Sequence, residues 1–159
     1  MLHRYCDAAD RRDWSRFGSV FDPASTHKHD KRFEGLSLDF VGIAEKLFSH
    51  LGATQHLIGN IMIEIDGCDA SSQCSLISVH HVPGDAPLSL FPRHQAGQEE
   101  IFMVGARYFD NLRYADGKWL IVRREAVHDW EQWMPSEGRG FVRDEARAAF
   151  CADAAQGCR

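Results

Sequence analysis

Leu2, Tyr5, Cys6 and Ala9 recur at helical spacing, which predicts a first helix. Asp13 stands where it would cap a second, short helix with Trp14, Phe17 and Phe21 on its inner face. Residues 22–35 hold Pro23, His27, His29 and a run of charges, a pattern of loop with one short strand, closed by Gly35. Ser37 is read as the N-cap of a helix in which Phe40, Ile43, Ala44, Leu47, Phe48 and Leu51 repeat every three or four residues, and Gly52 would end it in a left-handed conformation. From Ala53 the period changes to two. Leu57, Ile61, Ile63 and Ile65 share one parity with Gly59 and predict the apolar face of a half-buried strand. His56 falls on the other parity with Ile58, Asn60, Met62 and Glu64, a semi-polar face suited to border a cavity.

Asp66-Gly67 predicts a tight turn, with residues 70–81 returning as an antiparallel partner. Residues 82–98 carry Pro83, Pro87, Pro92 and two glycines, so no regular element is expected there, only a loop beside the pocket or at a subunit contact. Ile101–Arg113 and Lys118–Trp130, joined through Ala115-Asp116-Gly117, complete a four-strand meander. Helices precede the sheet, which indicates the α+β class. One domain is expected over residues 1–135, followed by a tail over 136–159 that is partly helical through its alanine-rich stretch.

Composition narrows the function classes. A chain of 159 residues with 44% hydrophobic content builds one core with room for one pocket. A net charge of -5 and the absence of a basic run argue against nucleic-acid binding, which requires concentrated positive charge. No apolar run reaches the roughly 18 residues of a membrane helix, and no signal-peptide pattern opens the chain, so a cytoplasmic protein with no membrane partner is expected. Five scattered cysteines read as free thiols.

Three further signals remain open on the residues alone. Asp10 falls at the edge of the first apolar stripe and could point inward or outward. Arg124 shares a strand face with Leu120, Val122, Ala126 and His128, which suits a pocket-facing cation or an ion pair with Asp110 or Glu125. His27, His29, His80 and His81 lack closed ligand spacing, and adjacent histidines on a strand point to opposite faces, so no metal site is expected.

Four ordered pieces resemble the SnoaL-like branch of the nuclear transport factor 2-like superfamily, which includes scytalone dehydratase and hexachlorocyclohexane dehydrochlorinase. They are Tyr-Cys-Asp-Ala-Ala-Asp-Arg-Arg-Asp-Trp (Tyr5 to Trp14), Thr-Gln-His-Leu-Ile-Gly-Asn (Thr54 to Asn60), Gly-Ala-Arg-Tyr-Phe-Asp (Gly105 to Asp110) and Asp-Gly-Lys-Trp-Leu-Ile-Val-Arg-Arg (Asp116 to Arg124). The resemblance implies a cone-shaped α+β barrel, a curved antiparallel sheet wrapped around N-terminal helices with a deep apolar pocket. It implies that Asp10 points inward to meet His56, that Arg124 is a pocket arginine, and that Tyr5 stands where a related dehydratase has a catalytic tyrosine. Tyr108, His128, Met62 and Ile58 become the substrate-binding positions. It also implies self-association as a homodimer or homotrimer.

An imidazole oriented by a carboxylate is a general base that needs no cofactor. The function expected is therefore a cofactor-independent lyase or isomerase of dehydratase or cyclase type. It would take a proton from an apolar cyclic substrate such as a steroid, polyketide or aromatic intermediate. Two rivals share the fold: a non-catalytic small-molecule binding protein, and the β subunit of a ring-hydroxylating dioxygenase. The Rieske cysteine and histidine spacing is absent from this chain.

Overall fold

The computed structural model describes residues 1–136. The tail expected beyond Pro135 therefore lies almost wholly outside the described residues. Helix α1 (Leu2–Arg11) buries Leu2, Tyr5, Cys6, Ala8 and Ala9, and ends at Arg12 in the left-handed region, φ 57°. That reversal delivers Asp13, whose carboxylate accepts the Arg16 backbone N–H at 3.0 Å and caps α2 (Trp14–Gly18). Phe21, expected on the inner face of this second helix, instead opens strand β1 (Phe21–His29).

The span read as a loop with one short strand thus holds two, β1 and β2 (Phe33–Leu36). Its charged side chains masked the alternation, since Asp22 and Lys28 fall within β1 itself. Helix α3 (Ser37–Phe48) follows, and here too the ends differ from expectation. Leu36 is the N-cap and Ser37 lies within the first turn with its hydroxyl buried and unbonded. Ser49 ends the helix, and Gly52 serves close packing, because a Cβ there would run into the His81 ring.

Strands β3 (Thr54–Asp66), β4 (Asp69–Val82), β5 (Glu100–Ala115) and β6 (Lys118–Pro135) form the meander. Gly67 (φ 59°) makes the β3–β4 turn, and Asp116 (φ 51°) with Gly117 (φ 79°) makes the β5–β6 turn. The sheet order is β2-β1-β6-β5-β4-β3, antiparallel throughout except that β1 runs parallel to β6. Its edges, β2 and β3, do not pair, so the sheet curves around the helices without closing. No helix of the described residues is long and apolar enough to cross a membrane.

Three bulges reset which side chains face inward. In β3, Asn60 and Ile61 together oppose Cys74, and Asn60 takes φ 49°. His56 and Ile58 therefore face inward, while Met62 is turned to the outer side and is 58% exposed. The apolar parity read as a core face is split by the same bulge, and Leu57, Ile63 and Ile65 are all exposed. In β6, an extra residue at Val122 brings Ile121 into the core, and another at Asp129 brings Glu131 and Trp133 to the inner side.

Candidate active site

The wide end of the cone holds a cavity of about 710 Å³, between α1, α3, the inner faces of β3–β6 and the loop 83–99. This is within the range that holds a drug-sized ligand. Apolar side chains make most of the wall, including Phe17, Phe40, Phe48, Phe102 and Trp133.

Asp10 and His56 meet on this wall. His56 Nδ1 lies 2.6 Å from Asp10 Oδ1, and the His56 backbone N–H donates to Oδ2 at 2.8 Å. The Thr54 hydroxyl adds a third contact at 3.3 Å. The geometry follows from α1 ending where β3 begins to pair. Arg12 donates to the carbonyls of Leu51 (2.9 Å) and Gly52 (2.5 Å), which pins the end of α1 to the segment entering β3. An ionised carboxylate only accepts, so the proton sits on Nδ1 and the Nε2 lone pair is left on the cavity side. The ring is held by stacking on Phe48 at 5.9 Å and by the edge of His80 at 5.2 Å.

Tyr5 and Tyr108 line the cavity as buried phenols. Burial pushes the Tyr5 hydroxyl up to about 12 and Tyr108 well above its ordinary value, so both remain protonated donors. Arg124 is not among the lining residues. Its guanidinium lies behind the two phenols, 4.1 Å from the Tyr5 ring centroid and 4.2 Å from that of Tyr108. It donates twice to Asp110, at 2.7 Å each, with both side chains fully buried. Burial opposes its charge, but the Asp110 carboxylate outweighs that and raises the guanidinium above its ordinary value. Ile58 packs on the core beside Leu76 and, like Met62, is not a lining residue.

His128 does line the cavity, and it belongs to a chain of imidazoles that sequence reasoning missed. His27 Nε2 is 3.3 Å from His29 Nδ1, His29 Nε2 is 3.3 Å from His128 Nε2, and His128 Nδ1 is 3.4 Å from Glu131 Oε1. Glu131 can only accept, so each ring donates towards it in turn and the His27 Nδ1 lone pair is left over. That atom is buried without a partner among the described residues. Burial above all holds His27 down at about 2 and His29 at about 3, so these two rings are uncharged at neutral pH.

His80 is the other lining residue that was missed. Its Nε2 is 3.1 Å from the Ser78 hydroxyl, and burial holds it well below its ordinary value. The signal was present: Ser72, Cys74, Leu76, Ser78, His80 and Val82 alternate as the buried side of β4. A second carboxylate–imidazole pair, Glu100 with His94 at 2.6 Å, ties the loop to the start of β5 and does not line the cavity. No group of three potential metal ligands occurs among the described residues.

Solved structures of similar fold span most of this chain. A protein assigned as a scytalone dehydratase from Novosphingobium aromaticivorans superposes with a TM-score of 0.68 at 17% identity, covering 89% of this chain and 84% of that one. The hexachlorocyclohexane dehydrochlorinase LinA-type3 from Novosphingobium barchaimii gives 0.66 at 13% identity, covering 89% of each. A protein assigned as an aromatic ring hydroxylase from N. aromaticivorans gives 0.67 at 15% identity, covering 85% of this chain and 87% of that one. No curated protein matches the sequence significantly. At these identities the structures establish the fold alone, while the family follows from the sequence itself. Residues 1–125 match the model of the SnoaL-like domain, and the chain belongs to that family.

Proposed function

We propose that the protein is a cofactor-independent lyase or isomerase in which His56 removes a proton from an apolar cyclic substrate. The observation that carries this reading is the Asp10–His56 pair on the cavity wall, with Nδ1 engaged at 2.6 Å and Nε2 left as the base. Asp10 orients the ring and stabilises the imidazolium formed during transfer. Tyr5, protonated and buried, is the donor to a carbonyl or leaving oxygen on which negative charge develops. Arg124 acts one layer back, as a positioning residue: its charge lies under both phenol rings, where it favours electron density gathering on their oxygens. The similarity in fold to proteins assigned as a dehydratase and a dehydrochlorinase supports the reaction class, since loss of water and loss of hydrogen chloride both begin with or include a proton abstraction.

The experiment is substrate-agnostic. Cyclic ketones are incubated with the protein in D2O, and exchange next to the carbonyl is read by mass spectrometry. Exchange above the buffer rate that disappears in His56→Ala supports the reading. Exchange unchanged in that variant, or none with ketones that demonstrably bind, leaves a binding protein with a structural dyad. We further propose self-association through the outer face of the sheet, where Leu57, Ile77 and Trp130 form an exposed apolar row.

A further inference from the structure

The cavity is apolar at depth but its charged lining is one-sided. Arg32, Lys46 and Arg93 are lining cations, contributed by the β1–β2 turn, α3 and the loop 83–99, against a single lining carboxylate, Glu131. This is a local excess of positive charge in a chain whose net charge is -5. The two arginines converge on Glu131: Arg32 Nη2 on Oε1, and Arg93 Nη1 on Oε2 at 3.4 Å. Each spends one nitrogen on this contact, and the other side-chain N–H groups of both have no partner among the described residues. Their side chains are 54% and 72% exposed, so they stand at the mouth and can turn to a ligand without breaking the core.

The rest of the wall does not cancel this charge. Tyr5 and Tyr108 stay protonated, and His29 and His80 stay neutral. Glu131 is held below the ordinary carboxylate range: burial alone would raise it, but Arg32 and the His128 contact outweigh that, so one negative charge faces three positive ones. A wholly apolar substrate would gain nothing from such a mouth. A guanidinium pair with unused N–H groups matches the planar, two-oxygen shape of a carboxylate.

We propose that the substrate is a ring compound bearing a carboxylate, whose apolar skeleton enters the cavity while its acid group is held at the mouth by Arg32 and Arg93, with Lys46 contributing charge. The proposal rests on the reading of this cavity as the substrate site, and narrows the substrate from apolar to amphiphilic and anionic.

Isothermal titration with 2-naphthoate and its neutral isostere 2-naphthamide tests it. The carboxylate is expected to bind at least about tenfold more tightly than the amide, since hydrogen bonds to charged groups exceed neutral ones by about that factor. The preference should shrink as salt is raised and vanish in Arg32→Gln/Arg93→Gln, with the amide still binding as the internal check that the cavity is intact. Equal binding of the two probes, or a preference that survives the double substitution, overturns the anionic subsite and leaves the general-base reading standing. Binding of neither probe overturns both, because then the cavity does not receive ring compounds.

Discussion

Asp10 grips His56 by two atoms at once: one carboxylate oxygen meets Nδ1 at 2.6 Å and the other accepts the backbone N–H of the same residue at 2.8 Å. The side chain that orients the imidazole therefore also fixes where β3 starts relative to the end of α1. Orientation of the base and docking of the helix on the sheet are one interaction.

Asp10→Asn separates the two roles. The amide oxygen still accepts the backbone N–H, but the amide N–H2 now faces Nδ1 and forces that nitrogen to become the acceptor. The proton moves to Nε2, where the wild-type lone pair faces the cavity. Nitrogen-15 NMR of the His56 ring should show the tautomer inverted with the fold retained, and proton-abstraction activity should fall by about a hundred- to ten-thousandfold. An unchanged tautomer would mean that the carboxylate does not set it.

Arg124 and Asp110 are both fully buried and doubly bonded to each other. Removing either partner strands a charge in the core, so Arg124→Ala and Asp110→Ala should each lower stability by about 3–5 kcal/mol. The double substitution should cost much less than the sum of the two. Denaturant unfolding of the three variants measures this, and additive losses would show that the two side chains are not coupled.

The fold was legible wherever one local pattern decides an element: the α1 stripe, the Asp13 cap, the period-two run from Thr54 and the Asp116-Gly117 turn. His56 was legible as an inward residue because it precedes any bulge in β3. Met62 was not, because the flip depends on Asn60 adopting φ 49°, and nothing in an alternating run announces that. For Arg124 the parity was readable but the depth was not. Periodicity reports which face a side chain takes, not that Tyr5 and Tyr108 will cover it. The histidine chain was hidden for a third reason: His29 and His128 are far apart in sequence and are brought together by the parallel pairing of β1 with β6, the one connection the meander pattern does not imply.

Three buried imidazoles make stability depend on pH. In the unfolded chain each takes a proton near pH 6.5. In the folded protein His27 waits until about 2 and His29 until about 3, and His80 is likewise held low, in each case chiefly by burial. Between those limits the unfolded state binds more protons, so stability is lost as pH falls below about 6.5 and is fully present above it. Each such group contributes up to about 1.4 kcal/mol per pH unit. Urea unfolding at pH 7.5, 6.0 and 5.0 should show a steepening decline, and a flat profile across that range would mean that these rings are protonated in the folded state.

The outer face of the sheet carries a row that cross-strand pairing assembles: Leu57 beside Ile77, Ile77 beside Gly105, and Gly105 beside Trp130. A Cβ on Gly105 would collide with the Trp130 indole, so the absence of a side chain is what lets that ring lie flat across the strand. Leu57 is 60% exposed, Ile77 46% and Trp130 46%, and Met62 lies farther along β3 on the same outer face. Contiguous exposed apolar surface of this kind marks an interaction site more often than a free surface. The wild type should therefore elute above monomer mass in light scattering. Ile77→Asp, which puts a charge at the middle of the row without touching the inner face, should shift it to monomer while leaving ligand affinity in the cavity unchanged. A monomeric wild type, or an assembly indifferent to Ile77→Asp, would remove this face as the contact.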